Sequence, residues 1–350
     1  MTTTKTSQIT MTFEDMLLTP SHPFGISYGT STSSPSILVK LKYKEFVGLG
    51  ESSPASYHCE TVDTVRTLLN VWQKSDILGH DPFSIQETMN RLDKSVAANH
   101  SAKAGLEMAL HDLCGKIANQ PTYKLLGLSG LSQPITDFTI GIDSLEMIEK
   151  KTSEAVEAGY KILKIKQGTA YDKEIIGSVR KVAAKIPLRV DANGGWTPKQ
   201  AIAMSHFLAE NNVQFVEQPL PKHSHYEDWK FVREHSAIPI FADESISGAV
   251  DVARLAGAID GVVVKLQKTG GLLEAIKVIH TARAHSLQVM FGCMLESSLG
   301  VTAAAQLQSL CDYLDLDGAL LLSNDPFQGA QYDDGYLRLS DQPGLGVTAR

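Results

Sequence analysis

Five ionisable residues recur at nearly constant intervals: Lys166, Asp191, Glu217, Asp243 and Lys265, separated by 25, 26, 26 and 22 residues. Each stands at the end of a short, β-branched run. One strand–helix unit of a parallel barrel consumes roughly this many residues, so the spacing returns the chain to the same height on each successive strand. The five side chains therefore converge at one mouth, on the C-terminal face where barrel enzymes keep their chemistry. Three carboxylates on neighbouring strands would repel one another strongly unless a cation neutralised them. Oxygen-only ligands favour a hard ion, so Asp191, Glu217 and Asp243 are expected to hold Mg²⁺, with Mn²⁺ able to substitute. Lys166 and Lys265 flank that arc from opposite sides as candidate catalysts. A lysine is a poor base at its usual pKa of about 10.4, but burial and a nearby cation both lower that value. The chemistry implied is removal of the α-proton of a metal-bound carboxylate. The resulting enediolate would be stabilised by the metal and by one further ammonium, Lys164.

The elements that must position these residues are legible from Ile135 onward, where short apolar runs alternate with helical patterns. Eight strands are predicted: Thr136 to Ile142, Ile162 to Lys166, Leu188 to Asp191, Val213 to Glu217, Ile238 to Asp243, Gly261 to Lys265, Leu287 to Gly292 and Tyr313 to Asp317. Glu146 to Ala158, Lys199 to Asn211 and Leu272 to Ala284 carry apolar residues at helical spacing and would form part of an outer ring. The preceding segment reads differently, with an alternating strand at Ile37 to Lys42 and helices at Val62 to Lys74 and Ala102 to Ala118. The expected architecture is α/β, a modified TIM-type (β/α)7β barrel over residues 131–324. An α+β capping domain would comprise residues 1–130, completed by the tail at 325–350.

Composition narrows the function classes. With 32 basic against 39 acidic residues, a net charge of -7 and no basic block, a nucleic-acid partner is not expected. The stretch Met1 to Thr12 is polar and Thr-rich, and no apolar run reaches the roughly 18 residues of a membrane span, so neither export nor membrane insertion is expected. Cys59, Cys114, Cys293 and Cys311 are scattered, without a C-x-x-C pair, which fits reduced thiols in the cytoplasm.

Several runs together closely resemble the enolase superfamily in its muconate-lactonizing-enzyme branch. They are Leu163-Lys164-Ile165-Lys166, Val190-Asp191-Ala192-Asn193, Val216-Glu217-Gln218-Pro219, Ala242-Asp243-Glu244-Ser245 and Lys265-Leu266-Gln267-Lys268-Thr269-Gly270-Gly271. The cap segment Ala109-Leu110-His111-Asp112-Leu113 is also similar, although that branch often carries tryptophan at the position of His111. The resemblance spans nearly the whole chain. It implies two acid/base lysines, Mg²⁺ and an enediolate, chemistry general to that superfamily. Within the branch, Tyr313-Leu314-Asp315-Leu316-Asp317-Gly318 resembles the Asp-x-Asp feature of dipeptide epimerases. This implies that Asp315 and Asp317 bind the α-ammonium of a dipeptide and that Thr139 lies near the substrate. The implied reaction is a 1,1-proton transfer at the α-carbon of the C-terminal residue of an Ala-Xaa dipeptide, an isomerase activity in peptide metabolism. The resemblance also implies a homo-oligomer.

Members acting on Ala-Glu tend to carry an arginine in a cap loop, whereas the stretch from Ser21 to Ser31 has none. His22, Phe24 and Tyr28 occupy it instead, and the Ser52 to Cys59 loop adds Tyr57 and His58. With Leu295, which argues against a cationic substrate, these leave Xaa as either Glu or an apolar or aromatic residue. The same lysines and metal could serve o-succinylbenzoate synthesis or muconate cycloisomerisation, substrates without an ammonium for Asp315 and Asp317. A Schiff-base lysine enzyme and a non-catalytic binding barrel are further alternatives. His223 and His225 read as a solvated loop, Cys293 as a pocket wall, and Lys268 and Glu244 as supporting residues. Gly270 and Gly271 suit either an anion cradle or close packing.

Overall fold

The cap sheet buries its central strand on both faces over Ser36 to Val39. In the computed structural model, which describes residues 8–131 and 134–350, β1 (Thr10–Leu18), β4 (Ser34–Tyr43) and β5 (Phe46–Ser52) form an antiparallel sheet in the order β1-β4-β5. Between β1 and β4 lies a small hairpin, β2 (Phe24–Ile26) and β3 (Gly29–Ser31), that overhangs the barrel mouth. Part of the polar stretch from Met1 to Thr12, residues 1–7, lies outside the described residues.

Helix α1 (Val62–Gln73) begins at a reciprocal capping box between Thr61 and Thr64 and buries Val65, Leu69 and Trp72 at helical spacing. These side chains pack on Ile37, Val39 and Leu41 of β4. Helix α2 (Ile85–Ser95) is an element that the sequence reading did not pick out; it buries only Thr88, Met89 and Leu92. Helix α3 (His100–Ala118) is buried continuously from Ser101 to Gly115 because it lies between the cap sheet and the barrel. The tail lies against this part of the cap. Thr122 donates its backbone N–H to Gly344 O at 2.8 Å, and Asp112 Oδ1 accepts from Leu345 N at 2.8 Å.

The barrel comprises β6 (Phe138–Ile140), β7 (Leu163–Lys166), β8 (Leu188–Asp191), β9 (Val213–Glu217), β10 (Ile240–Ala242), β11 (Gly261–Val264), β12 (Gln288–Gly292) and β13 (Tyr313–Asp315). Neighbours pair in chain order and in parallel, and the Thr136–Leu314 bridge brings the first strand to the eighth. Helices fill each interval, and β13 is followed by a 3₁₀ turn at Gly318–Leu321, so the architecture is (β/α)7β with an α+β cap. β8 and β9 coincide with the sequence runs, while the other six strands are shorter than theirs by one to four residues. The lower interior is plugged by Phe215, Phe241, Val263 and Met290, with Arg189 stacked over Phe215 and Tyr313 and paired to Asp137 at 2.8 Å. That plug makes the interior a core and leaves chemistry to the mouth.

Candidate active site

β7, β8 and β9 end at Lys166, Asp191 and Glu217, while Asp243 and Lys265 directly follow β10 and β11. Parallel register sets Lys166 beside Asp191 and Asp191 beside Glu217. All five are at most 7% exposed. Lys164 shares the inward parity of Lys166 and is fully buried, and Thr139 stands opposite it on β6.

Ligand oxygens of Asp191, Glu217 and Asp243 lie within 4.8 Å of one another. Lys164 Nζ stands 2.6 Å from Glu217 Oε2 but off the direction of a hydrogen bond, so both Glu217 oxygens are buried without a hydrogen-bond partner. Burial and the neighbouring Asp191 raise the Glu217 carboxyl well above the ordinary range. Apart from that ion pair the carboxyl has no partner among the described residues, which is costly in a protein interior. A hard divalent cation shared by the three acids would satisfy it, and the all-oxygen donor set suits Mg²⁺. Asn193, in the left-handed region at φ 42°, braces the arc: its N–H meets Asp191 Oδ1 at 2.9 Å and its Nδ2 reaches Asp191 Oδ2 and Glu244 Oε1, both at 3.1 Å.

The two flanking lysines are anchored on opposite ligands. Lys166 Nζ lies 2.6 Å from Asp191 Oδ2, and Lys265 Nζ 2.8 Å from Asp243 Oδ2. Lys268 also pairs with Asp243 and donates to Val263 O at 2.9 Å, which places it as a support behind the arc. Burial raises the Asp243 carboxyl, but Lys265 and Lys268 outweigh it and hold it well below the usual carboxylate range. Burial by itself lowers Lys265, yet Asp243 and Glu217 hold it above the ordinary lysine range. The reason is that its neighbours are carboxylates, and only a cation taking over their charge would reverse the sign.

Asp315 and Asp317 face the same space with different commitments. Asp315 accepts from Lys164 at 2.7 Å; burial raises its carboxyl, but Lys164, Lys265 and Lys166 together outweigh burial and hold it below the usual range. Asp317 accepts the backbone N–H of Thr139 at 2.6 Å, and burial plus the charge on Asp315 push its carboxyl up to about 7. Gly292 permits this crowding, since a Cβ there would lie 3.0 Å from Lys265 Cε and 3.3 Å from Asp315 Oδ2.

Lys166, Lys265, Thr139, Asp315 and Asp317 line one cavity of about 490 Å³, to which the cap adds Phe24, Ile26 and Tyr57. Phe24 and Leu295 are in its wall. Tyr28 is not among its lining residues; it is 49% exposed and stacks on Tyr57, which does line the cavity, with ring centroids 4.9 Å apart. Met294 was missed from sequence; it sits beside Leu295 and accepts from Tyr57 Oη at 3.2 Å. Cys293 forms part of the wall, as expected. His223 and His225 are exposed loop residues, and a Cβ on Gly271 would overlap the Glu107 carboxylate, so that glycine serves close packing.

Gln267 lies in the run from Lys265 to Gly271. Its Oε1 accepts from Ser53 N at 2.9 Å and Ser101 Oγ at 2.8 Å, and its Nε2 donates to Glu51 O at 3.0 Å and Glu296 Oε2 at 2.9 Å. This buried amide thus joins β5, α3 and the loop after β12 two residues beyond Lys265. Its position next to a catalytic candidate was the only sequence signal available.

Residues 9–127 match the mandelate racemase / muconate lactonizing enzyme N-terminal domain, and residues 147–350 the enolase C-terminal domain-like family. An L-Ala-D/L-Glu epimerase from Bacteroides thetaiotaomicron is 40% identical over 341 residues, covering 96% of this chain and 87% of the relative. An L-Ala-D/L-amino acid epimerase from Pedosphaera parvula is 37% identical, covering 93% of this chain and 94% of the relative. A crystal structure of a dipeptide epimerase from Enterococcus faecalis, complexed with Mg and the dipeptide L-Leu-L-Tyr, superposes with a TM-score of 0.92 at 33% identity, covering 97% and 99% of the two chains.

Proposed function

We propose that this chain, which belongs to the mandelate racemase / muconate lactonizing enzyme family with its enolase-like barrel, is a Mg²⁺-dependent dipeptide epimerase of the isomerase class. The observation that carries the reading is one cavity that holds two lysines anchored on opposite sides of an acid triad together with a pair of aspartates.

Asp191, Glu217 and Asp243 would hold the ion, which when bound supplies Lewis-acid charge to the substrate carboxylate. Asp317, aided by Asp315, takes the α-ammonium of the N-terminal residue and so presents the C-terminal α-carbon between the lysines. One of Lys166 and Lys265, as the neutral amine, accepts the α-proton; the other, as the ammonium, returns a proton to the opposite face. The reaction conserves protons, and the lysines exchange roles in reverse, so both epimers are substrates. Lys164, buried against Asp315 and beside Asp191 at 3.4 Å, lends fixed positive charge as the enediolate forms.

Among the cavity-lining residues the cations are Lys166 and Lys265, whereas Ile26, Tyr57, Met294 and Leu295 supply apolar surface. A glutamate side chain would therefore lack a dedicated cationic partner, and we favour an apolar or aromatic C-terminal residue. We further propose that Mn²⁺ substitutes for Mg²⁺, that the protein forms a homo-oligomer, and that it serves peptide metabolism in the cytoplasm, consistent with four unpaired thiols. No helix among the described residues is long and apolar enough to cross a membrane.

¹H NMR of an Ala-Xaa library in D₂O with Mg²⁺ tests the proposal. Loss of the C-terminal α-proton signal with new diastereomer peaks, abolished by chelation, is the expected result. Folded, Mg²⁺-supplied protein that exchanges no dipeptide would overturn it.

A further inference from the structure

A second cavity, of about 260 Å³, adjoins the first and has no part in the mechanism above. The two share Phe24, Thr139 and Leu321 as their common wall. Beyond that wall its lining is chiefly apolar, with Phe138, Ile140, Ala155 and Leu320 among its surfaces. Its charged liners already have partners. Lys151 Nζ pairs with Asp143 Oδ2 at 2.9 Å, and Glu154 Oε2 with His22 Nε2 at 3.2 Å on the rim. A charged guest would find no free counter-charge among these residues, while an apolar guest would gain burial.

Its position selects the guest. Thr139, in the shared wall, holds Asp317 through its backbone N–H at 2.6 Å. Resting on the proposed epimerase reading, in which Asp317 takes the α-ammonium, the N-terminal α-carbon lies one bond from that ammonium. Its side chain therefore starts beside Thr139 and can turn either back over the barrel mouth, where the C-terminal residue must react, or toward Phe24 and Leu321, the wall it shares with the second cavity. We propose that this cavity is the subsite for the side chain of the N-terminal residue, and that it takes branched or aromatic apolar side chains larger than the methyl of alanine.

The test compares dipeptides that share a C-terminal residue: L-Leu-L-Phe against L-Ala-L-Phe, and L-Leu-L-Glu against L-Ala-L-Glu, by α-proton exchange in D₂O. Each methylene moved from water to an apolar site is worth roughly fourfold in binding. The leucyl member of each pair should therefore show about tenfold or greater kcat/KM. Ala158 lies at the outer rim of the cavity on the exposed end of a helix. Ala158→Trp should fill the cavity from outside and collapse the leucyl-to-alanyl ratio toward one. Equal use of both members by the unmodified protein, or a ratio unmoved by Ala158→Trp, would overturn the subsite while leaving the epimerase reading intact. Exchange of neither member in either pair would remove both.

Discussion

Two groups of residues face each other across the cavity, and they are held in different ways. At the mouth, Asp191, Glu217, Asp243 and Lys265 are at most 5% exposed, seated on or directly after β8 to β11, with their neighbours set by parallel register. On the cap side, Phe24 and Tyr57 come from a short hairpin and the 3₁₀ turn Ser56–His58, and Tyr28, 49% exposed, stacks on Tyr57 outside the cavity lining. The hydrogen-bonded strands fix where charge develops, whereas the loops contribute shape that can be exchanged with little effect on the core. Reaction type and substrate choice are thus divided between two structural layers.

Changes that break the comparison on the mouth side should be the largest. Lys166→Ala and Lys265→Ala should each lower epimerisation by about 10³-fold or more, within the range for loss of a general acid–base group. Following α-deuterium incorporation separately from each epimer checks the two-sided mechanism, because each variant should retain exchange from one epimer only. Asp317→Asn comes next. Truncating a buried charge partner of an ammonium should reduce kcat/KM for dipeptides by roughly 10²-fold, measured by the same assay under subsaturating substrate.

Asp317 also sets the sign of a pH effect. Its carboxyl is raised to about 7 by burial and Asp315, so the free protein protonates it as pH falls through that value and loses the charge that attracts the ammonium. kcat/KM should therefore decline below about pH 7, and Asp317→Asn should flatten that limb. The stability consequence has the opposite sense. A carboxyl raised on folding binds a proton more tightly in the native state, so its contribution diminishes as pH rises from the unfolded value toward about 7.

A smaller change probes the seam between the layers. Gln267→Ala leaves Glu51 O and Glu296 Oε2 without their donor and should loosen the loop that carries Lys265. The expected result is a roughly tenfold fall in kcat, in line with about 1–3 kcal/mol for unsatisfied buried groups, at nearly constant KM. A positioning role predicts unequal loss of deuterium exchange from the two epimers, which general destabilisation would not produce. The smallest effect is expected on the cap side. Tyr28→Ala removes a ring stack worth about 0.5–1.5 kcal/mol, and should raise KM by a few-fold while leaving kcat in place.

The barrel and its five strand-end residues were legible because both depend on local regularity. Repeated apolar runs imply strands, and intervals of 22 to 26 residues imply equal height on successive strands. Helix α2 escaped notice because its mean composition is polar and it buries a single narrow stripe. The hold of Asp243 and Glu217 on Lys265 had no signal within its own strand, because those carboxylates meet it only in the folded barrel.

By itself, then, the sequence determined the scaffold and the charges presented at its mouth, since both follow from periodicities within one strand–helix unit. The tertiary structure alone decided how the cap meets that mouth. Gln267 reaches Glu51 across 216 residues, and Ser34 reaches the Leu295 carbonyl across 261. It also decided that Phe24 and Leu321 partition two cavities rather than close one. Contacts between such distant segments arise from packing of finished elements, for which no spacing along the chain provides a signal.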